Sequence, residues 1–496
     1  MRSHTWLRAA LALVLATIVA SFALASGDQE AAGDEPTRII MQIPGPPQPD
    51  QQMVNEAVSE YLADDLNIEL DLQQTDFAAW VDRSNLIIAS GEECDVLYNA
   101  GWTGYPTNAA RGAFVDLTEM IPEVAPELFE TEYAWTFDAA RIDGRIYGVP
   151  TYQMLAQSRG LFLRKDLVDK YAPAGFEIDP LQNDPRDLEP LFDAILENED
   201  GMVPWYGVPG KMLRFMVPFD AQGRLEPISI DVTDEEPRFY NVFDTDYYRD
   251  AMELSREWFL KGYINKDAAT TTESPQSVIS AGAAFASSGQ TNVGAAASMS
   301  RAVGYEMVAY PILPPIVGTG LVQGAIFSVP RQSENPEAAL EFIARMHTDK
   351  KLVNMLTYGI EGEHYVMAED NLIEPAPGIN QQSNPYYNLE WMFGNQALLY
   401  DYTEEGRGSA EALDAFNQNA IQSPALGFSF DPEPVKTEMA ALANVIGEYD
   451  PVIASGSVDA TEGLYDEFIA KMEDAGIEKV LDEANGQLAE WMEENK

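Results

Sequence analysis

The stretch Asn99-Ala100-Gly101-Trp102-Thr103-Gly104-Tyr105 sets an amide and two aromatic rings on one short loop. Its glycines let a ligand approach the backbone closely. Ring faces and planar amides together suit a polyhydroxylated ring, whose apolar C–H faces stack while its hydroxyls find polar partners. Tyr152 and Gln153 stand just after Val149-Pro150, and Gln290 follows a Ser287-Ser288-Gly289 turn. Tyr386, Tyr387, Asn388, Trp391 and Asn395 form a second aromatic and amide cluster. The candidate ligand-binding set is Asn99, Trp102, Tyr105, Tyr152, Gln153, Gln290, Tyr387, Trp391 and Asn395. Plain packing competes for every aromatic in it, and an apolar helix face fits 386–395 equally well. Trp205 and Tyr206, in a Pro- and Gly-bearing loop, are secondary candidates.

Bond-making chemistry is poorly supplied. The histidines are His4, His347 and His364, too few for a His-rich zinc site. His347 falls near a helix end, where a positive charge would favour the dipole. With 81 Asp and Glu, carboxylate pairs arise by chance. The alternative, a secreted carbohydrate-active hydrolase using two carboxylates, therefore gains nothing from their presence. Gly318-Thr319-Gly320-Leu321-Val322-Gln323-Gly324 has one residue too many for a dinucleotide loop. Asp244-Thr245-Asp246 starts like a calcium loop, but Arg249 stands where that loop needs glycine. No G-x-S-x-G elbow or P-loop occurs. No catalytic residue, metal or cofactor is expected.

Arg2 and Arg8 precede an apolar run from Ala9 to Ala25 that ends Ala23-Leu24-Ala25. That pattern predicts a secretory signal over 1–25, with the mature chain starting near Ser26. No cysteine stands at the cleavage point, so an exported, periplasmic, unlipidated protein is expected. Residues 26–36 read as a flexible leader. The remaining length suits two lobes better than one core. Cys94 is the sole cysteine, which excludes an internal disulfide, and its place before an apolar run predicts an inert buried thiol. A formal net charge of -51 excludes nucleic acid and anionic membrane as partners. The acids are scattered, as at Glu473, Asp474, Asp482, Glu483, Glu493 and Glu494, which points to a solvated coat and a halophilic source.

Thr37–Ile43, Ile68–Leu72 and Asp95–Asn99 read as strands, with helical spacing between them over 50–66 and 80–90. Such alternation predicts an open α/β layer with parallel pairing, in which ligands sit beyond the carboxyl ends of strands. Further on come a strand at 160–163, helices at 165–171 and 247–261, and a strand within 277–288. The proline-dense 310–315 reads as a connection between lobes. A helix begins at Pro336 with Asn335 as its cap, and two more helices close the chain.

Asp95-Val96-Leu97-Tyr98, Ala110-Arg111-Gly112-Ala113-Phe114-Val115-Asp116-Leu117, Ile142-Asp143-Gly144-Arg145-Ile146-Tyr147-Gly148-Val149-Pro150 and Asn335-Pro336-Glu337-Ala338-Ala339-Leu340-Glu341-Phe342-Ile343 occur in this order. In that order they resemble the extracellular solute-binding proteins of ABC importers, of the carbohydrate type. The tail from Lys350 through Val366 resembles a subfamily with an uncharacterised C-terminal extension, the DUF3502 type. The resemblance implies a two-lobed periplasmic binding protein fold of type II. Lobe 1 would take 37–150 and 317–355; lobe 2 would take 151–316 and 356–496. Crossovers near Val149–Thr151, Pro315–Gly320 and Tyr358–Gly362 would form the hinge. It also implies a monomer that captures a small solute, an oligosaccharide first, by hinge closure and delivers it to a membrane permease.

Overall fold

A computed structural model describes residues 35–208, 218–220, 227–234, 236–380, 383–403 and 406–494. The expected signal segment and most of the leader lie outside the described residues.

Ten strands build two sheets: β1 Thr37–Pro44, β2 Ile68–Thr75, β3 Val96–Asn99, β4 Val149–Pro150, β5 Gln157–Arg164, β6 Val203–Trp205, β7 Ala284–Gln290, β8 Met307–Val317, β9 Ile326–Ser328 and β10 Ile421–Gln422. The first sheet runs β2-β1-β3-β9-β4. β1 lies parallel to both β2 and β3, and β9 returns antiparallel between β3 and β4. In β2, Ile68, Leu70 and Leu72 are buried while Glu69 is exposed, the alternation of a half-covered edge strand. The helices Gln51–Leu62 and Phe77–Ser90 connect these parallel strands. The second begins where Asp76 accepts from Ala78 N and ends at Gly91 in the left-handed region.

The second sheet runs β10-β8-β5-β7-β6. Here the reading of 310–315 as a bare connection is corrected. Those residues lie inside β8, an eleven-residue strand paired antiparallel with β5. Its prolines are tolerated because β10 pairs only with Ile316 and Val317, so among the described residues no strand pairs with the proline-bearing stretch on that side, and the register slips around Leu313. The strand expected within 277–288 begins only at Ala284, after a short helix Pro275–Ser280. At Pro336–Thr348 the proline starts the helix, but Asn335 makes no side-chain cap; its amide points to Arg38 O at 3.4 Å.

Each sheet carries its own core. The first gathers Ile39, Val58, Trp80, Phe327 and Phe342, and continues through Tyr358, Tyr386, Phe393 and Tyr402. This corrects the expected division, since 356–402 packs with the first lobe and Tyr358–Gly362 crosses nothing. The chain passes to the second lobe between Tyr402 and β10, through the helix Ser409–Gln418. The second core joins Leu161, Phe192, Trp205 and Trp258 to Leu442, Phe468 and Val480 of the C-terminal helices. A third, smaller cluster of Tyr133, Ala139, Tyr152, Val317, Val322 and Phe416 lies where the crossings meet.

Cys94 is fully buried, and burial pushes its thiol up. Of the acids expected outside, Glu473, Asp474, Asp482 and Glu493 are exposed and Glu483 is half-buried. No helix among the described residues is long and apolar enough to cross a membrane.

Candidate ligand-binding cleft

β1, β2 and β3 point their carboxyl ends the same way, and at that edge a row of rings comes together. Tyr98, in β3, is buried and donates its hydroxyl to Gly324 O at 2.9 Å. Trp102 lies 6.2 Å from Tyr98 on one side, and Trp391 lies 6.3 Å away on another. Phe77, the first residue of its helix, continues the row 6.3 Å beyond Trp391. Trp102 is 50% exposed and Phe77 is 37% exposed, so the ledge keeps open ring faces. A short turn, Gly101–Thr103, tips Trp102 outward, with its indole nitrogen 3.3 Å from the same Gly324 oxygen. Gln153 lies half-buried beside Gly324; a Cβ added there would sit 3.2 Å from its Nε2. Gly324 thus gathers Tyr98, Trp102 and Gln153 onto the second crossing.

Amides border the ledge. Gln74, near the end of β2, donates to Asn388 Oδ1 at 2.5 Å, and Asn388 donates to Leu356 O at 2.9 Å. These bonds tie the 384–396 segment, which carries Trp391, to the rim of the first sheet.

The second sheet carries the remaining candidate, Gln290. Gln290, the exposed last residue of β7, pairs across to Arg159 of β5. Arg159 donates to Gln157 Oε1 at 3.1 Å. Both line a small cavity with Phe219, Asp220, Leu313 and Gly318. Burial pushes the Asp220 carboxyl up to about 6.

Trp102 and Gln153 therefore meet at Gly324, Trp391 joins the same row of rings, and Gln290 lies in the second sheet. Others on the candidate list lie apart from this row of rings. Tyr105 is wholly buried, stacks on Phe114 and donates to Ala140 O at 2.7 Å; the turn Tyr105–Ala110 carries it inward as core. Asn99 is also without exposure and lies beneath the ledge, its Oδ1 lacking a hydrogen-bond partner among the described residues. Tyr387 packs 5.3 Å from Tyr402 and donates to Glu390. Tyr152 stacks 4.2 Å from Tyr133 and donates to Asp414 at 2.6 Å, while Asn395 reaches the Tyr133 hydroxyl at 3.4 Å. Those two belong to the hinge. The backbone of Tyr152 pairs with 394–396, and Asn417 accepts from Leu155 N and Ala156 N. Trp205 and Tyr206 are buried in the second lobe.

His347 sits in the same hinge region, 3.4 Å from the Tyr133 hydroxyl. Burial lowers its pKa to about 3, which disfavours the charged ring despite its place at a helix end. Arg249 pairs with both Asp244 and Asp246, which occupies the stretch that begins like a calcium loop. Among the described residues no three His, Cys, Asp or Glu side chains cluster as a metal site.

The candidate list does not include Phe77, Gln74, Gln157, Arg159 or Asp220, whereas Tyr98 stands at the strand end where the sequence places a ligand. Phe77 and Gln74 had one available signal, their position at or just past the carboxyl end of a parallel strand.

Two five-stranded sheets, each with its own core and joined by three crossings of the chain, define a two-lobed fold. Residues 45–351 match the model for bacterial extracellular solute-binding proteins, and the chain belongs to that family. Residues 424–493 match a domain of unknown function, DUF3502. A carbohydrate ABC transporter substrate-binding protein of Streptococcus pneumoniae is 26% identical, covering 100% of this chain and 99% of its own. A polygalacturonan/rhamnogalacturonan-binding protein of Bacillus subtilis is 23% identical over 84% of this chain and 85% of its own. The crystal structure of an N-glycan transport solute-binding protein from Streptococcus pneumoniae superposes with a TM-score of 0.74 at 24% identity, covering 93% of this chain and 100% of that one.

Proposed function

We propose that this chain is the substrate-binding component of an ABC importer for carbohydrate, capturing an oligosaccharide between its lobes and presenting the closed form to a membrane permease. The observation that carries this reading is the ledge of Trp102, Tyr98, Trp391 and Phe77 at the carboxyl edge of the first sheet. Open indole faces next to amides suit a sugar's apolar faces and hydroxyls. The substrate-binding relative supports transport as the context, and the family assignment does not favour the hydrolase alternative. Capture needs no covalent step. A ligand touching both walls binds the closed arrangement better and shifts the population toward it by that difference. The residue types over 1–25 support export without lipidation, and the protein acts as a monomer within an acidic coat adapted to salt.

Titration calorimetry with an oligomannose glycan tests the reading. Trp102→Ala and Trp391→Ala each weaken binding about tenfold or more, roughly 1.4 kcal/mol, while thermal midpoints stay near wild type. Unchanged affinity in both variants would remove the ledge as the binding surface.

A further inference from the structure

The 424–493 domain of unknown function is rooted in the second lobe. Its helices, Lys436–Ala454, Leu464–Asp474 and Ile477–Glu494, share that lobe's core. Asp450 accepts from the Tyr248 hydroxyl at 2.9 Å, and Asn485 accepts from Phe239 N at 2.8 Å. Its lead-in reaches elsewhere. Gly427 N donates to Thr319 Oγ1 at 2.9 Å, and that hydroxyl lies 3.4 Å from Ala425 O. Thr319 is the buried first residue of a short helix in the second crossing.

Gly427 touches the first lobe as well. It holds φ +100°, and a Cβ there would stand 2.5 Å from Asp138 O and 3.2 Å from Trp491 Cζ2. Asp138 sits in the first-lobe helix Thr136–Ala140, and the neighbouring Ala139 O accepts from Gln323 of the crossing at 2.7 Å. One backbone turn is therefore wedged between a first-lobe helix, the crossing and the last helix of the chain.

We propose that the 424–493 domain is an interlobe brace that sets the resting balance between open and closed forms. Its helices fix it to one lobe, Thr319 ties its lead-in to the crossing, and Gly427 bears on the other lobe. A contact this close survives only a narrow range of lobe rotations. It therefore favours those arrangements by its own free energy, as a ligand would. Trp491 backs the turn from behind, so the lead-in cannot yield without disturbing the last helix.

The test is pulsed electron paramagnetic resonance on the full chain without ligand, with spin labels on Glu60→Cys and Glu197→Cys. Both positions are exposed, one on each lobe, and buried Cys94 stays unlabelled. Gly427→Ala forces a side chain against Asp138, and Thr319→Val replaces the hydroxyl by a methyl of similar size, ending its bond from Gly427 N. Each variant is expected to shift the mean interlobe distance by more than about 2 Å with wild-type helicity by circular dichroism. Both variants folding normally with the wild-type distance would overturn the brace. Should Gly427→Ala fail to fold, Thr319→Val decides alone: a shift supports the brace and an unchanged distance overturns it.

Discussion

Trp102 and Tyr105 are three residues apart on one loop, and the structure sends them in opposite directions. Trp102 keeps half its surface in solvent, whereas Tyr105 has none there. Composition could nominate both rings but not separate them, because the decision rests on a single turn of backbone at Gly104, φ +85°. The consequence is testable by truncation. Tyr105→Ala should cost about 3–5 kcal/mol of stability as a core cavity, measured by denaturant unfolding. Trp102→Ala should cost little stability and act on binding instead. His347 gives a second residue-level prediction. Its folded pKa, about 3, lies below the ordinary 6.5, so the unfolded chain binds its proton first as pH falls. Stability from this group is full above about 6.5 and is lost toward 3, by at most roughly 1.4 kcal/mol per pH unit. The stability advantage of wild type over His347→Phe should therefore shrink between about pH 7 and pH 5; a constant difference would mean the ring is not held neutral.

Elements with strong periodicity were legible in the sequence to within a few residues. The helices Gln51–Leu62, Phe77–Ser90 and Asp246–Lys261 and the strands β1 to β3 all fall where spacing and alternation place them. β8 was not legible, because prolines argue against a strand and only the partner arrangement shows that, among the described residues, no strand pairs with its proline-bearing stretch on one side. The same pairing explains Gly160. A Cβ at that position of β5 would lie 2.1 Å from Tyr310 O, inside the β8 backbone. Gly160→Ala should therefore force β5 and β8 apart and destabilise the second lobe by about 1–3 kcal/mol in chemical denaturation. Wild-type stability in that variant would show that the two strands do not approach so closely.

At the scale of the whole molecule, two lobes and their first two crossings could be read from element order and family resemblance. The third crossing could not. Residues 356–402 join the first lobe through buried contacts such as Tyr358 and Phe393, which no local pattern announces. Net charge also acts at this scale. A formal -51 on one chain implies self-repulsion that salt relieves, since the Debye length falls from about 10 Å at 0.1 M to about 3 Å at 1 M. The thermal midpoint should rise with sodium chloride over that range; a midpoint that does not fall below about 0.1 M salt would contradict a salt-adapted coat. The central claim is capture of an intact sugar, and a thermal-shift screen of oligosaccharides in high salt tests it most directly, with each ligand recovered and weighed by mass spectrometry. A bound ligand at about 100 times its Kd adds roughly 2.7 kcal/mol, enough to raise the midpoint by degrees. The account predicts such a rise for at least one oligosaccharide, recovered unaltered; cleaved sugar, or no rise across the panel, would contradict it.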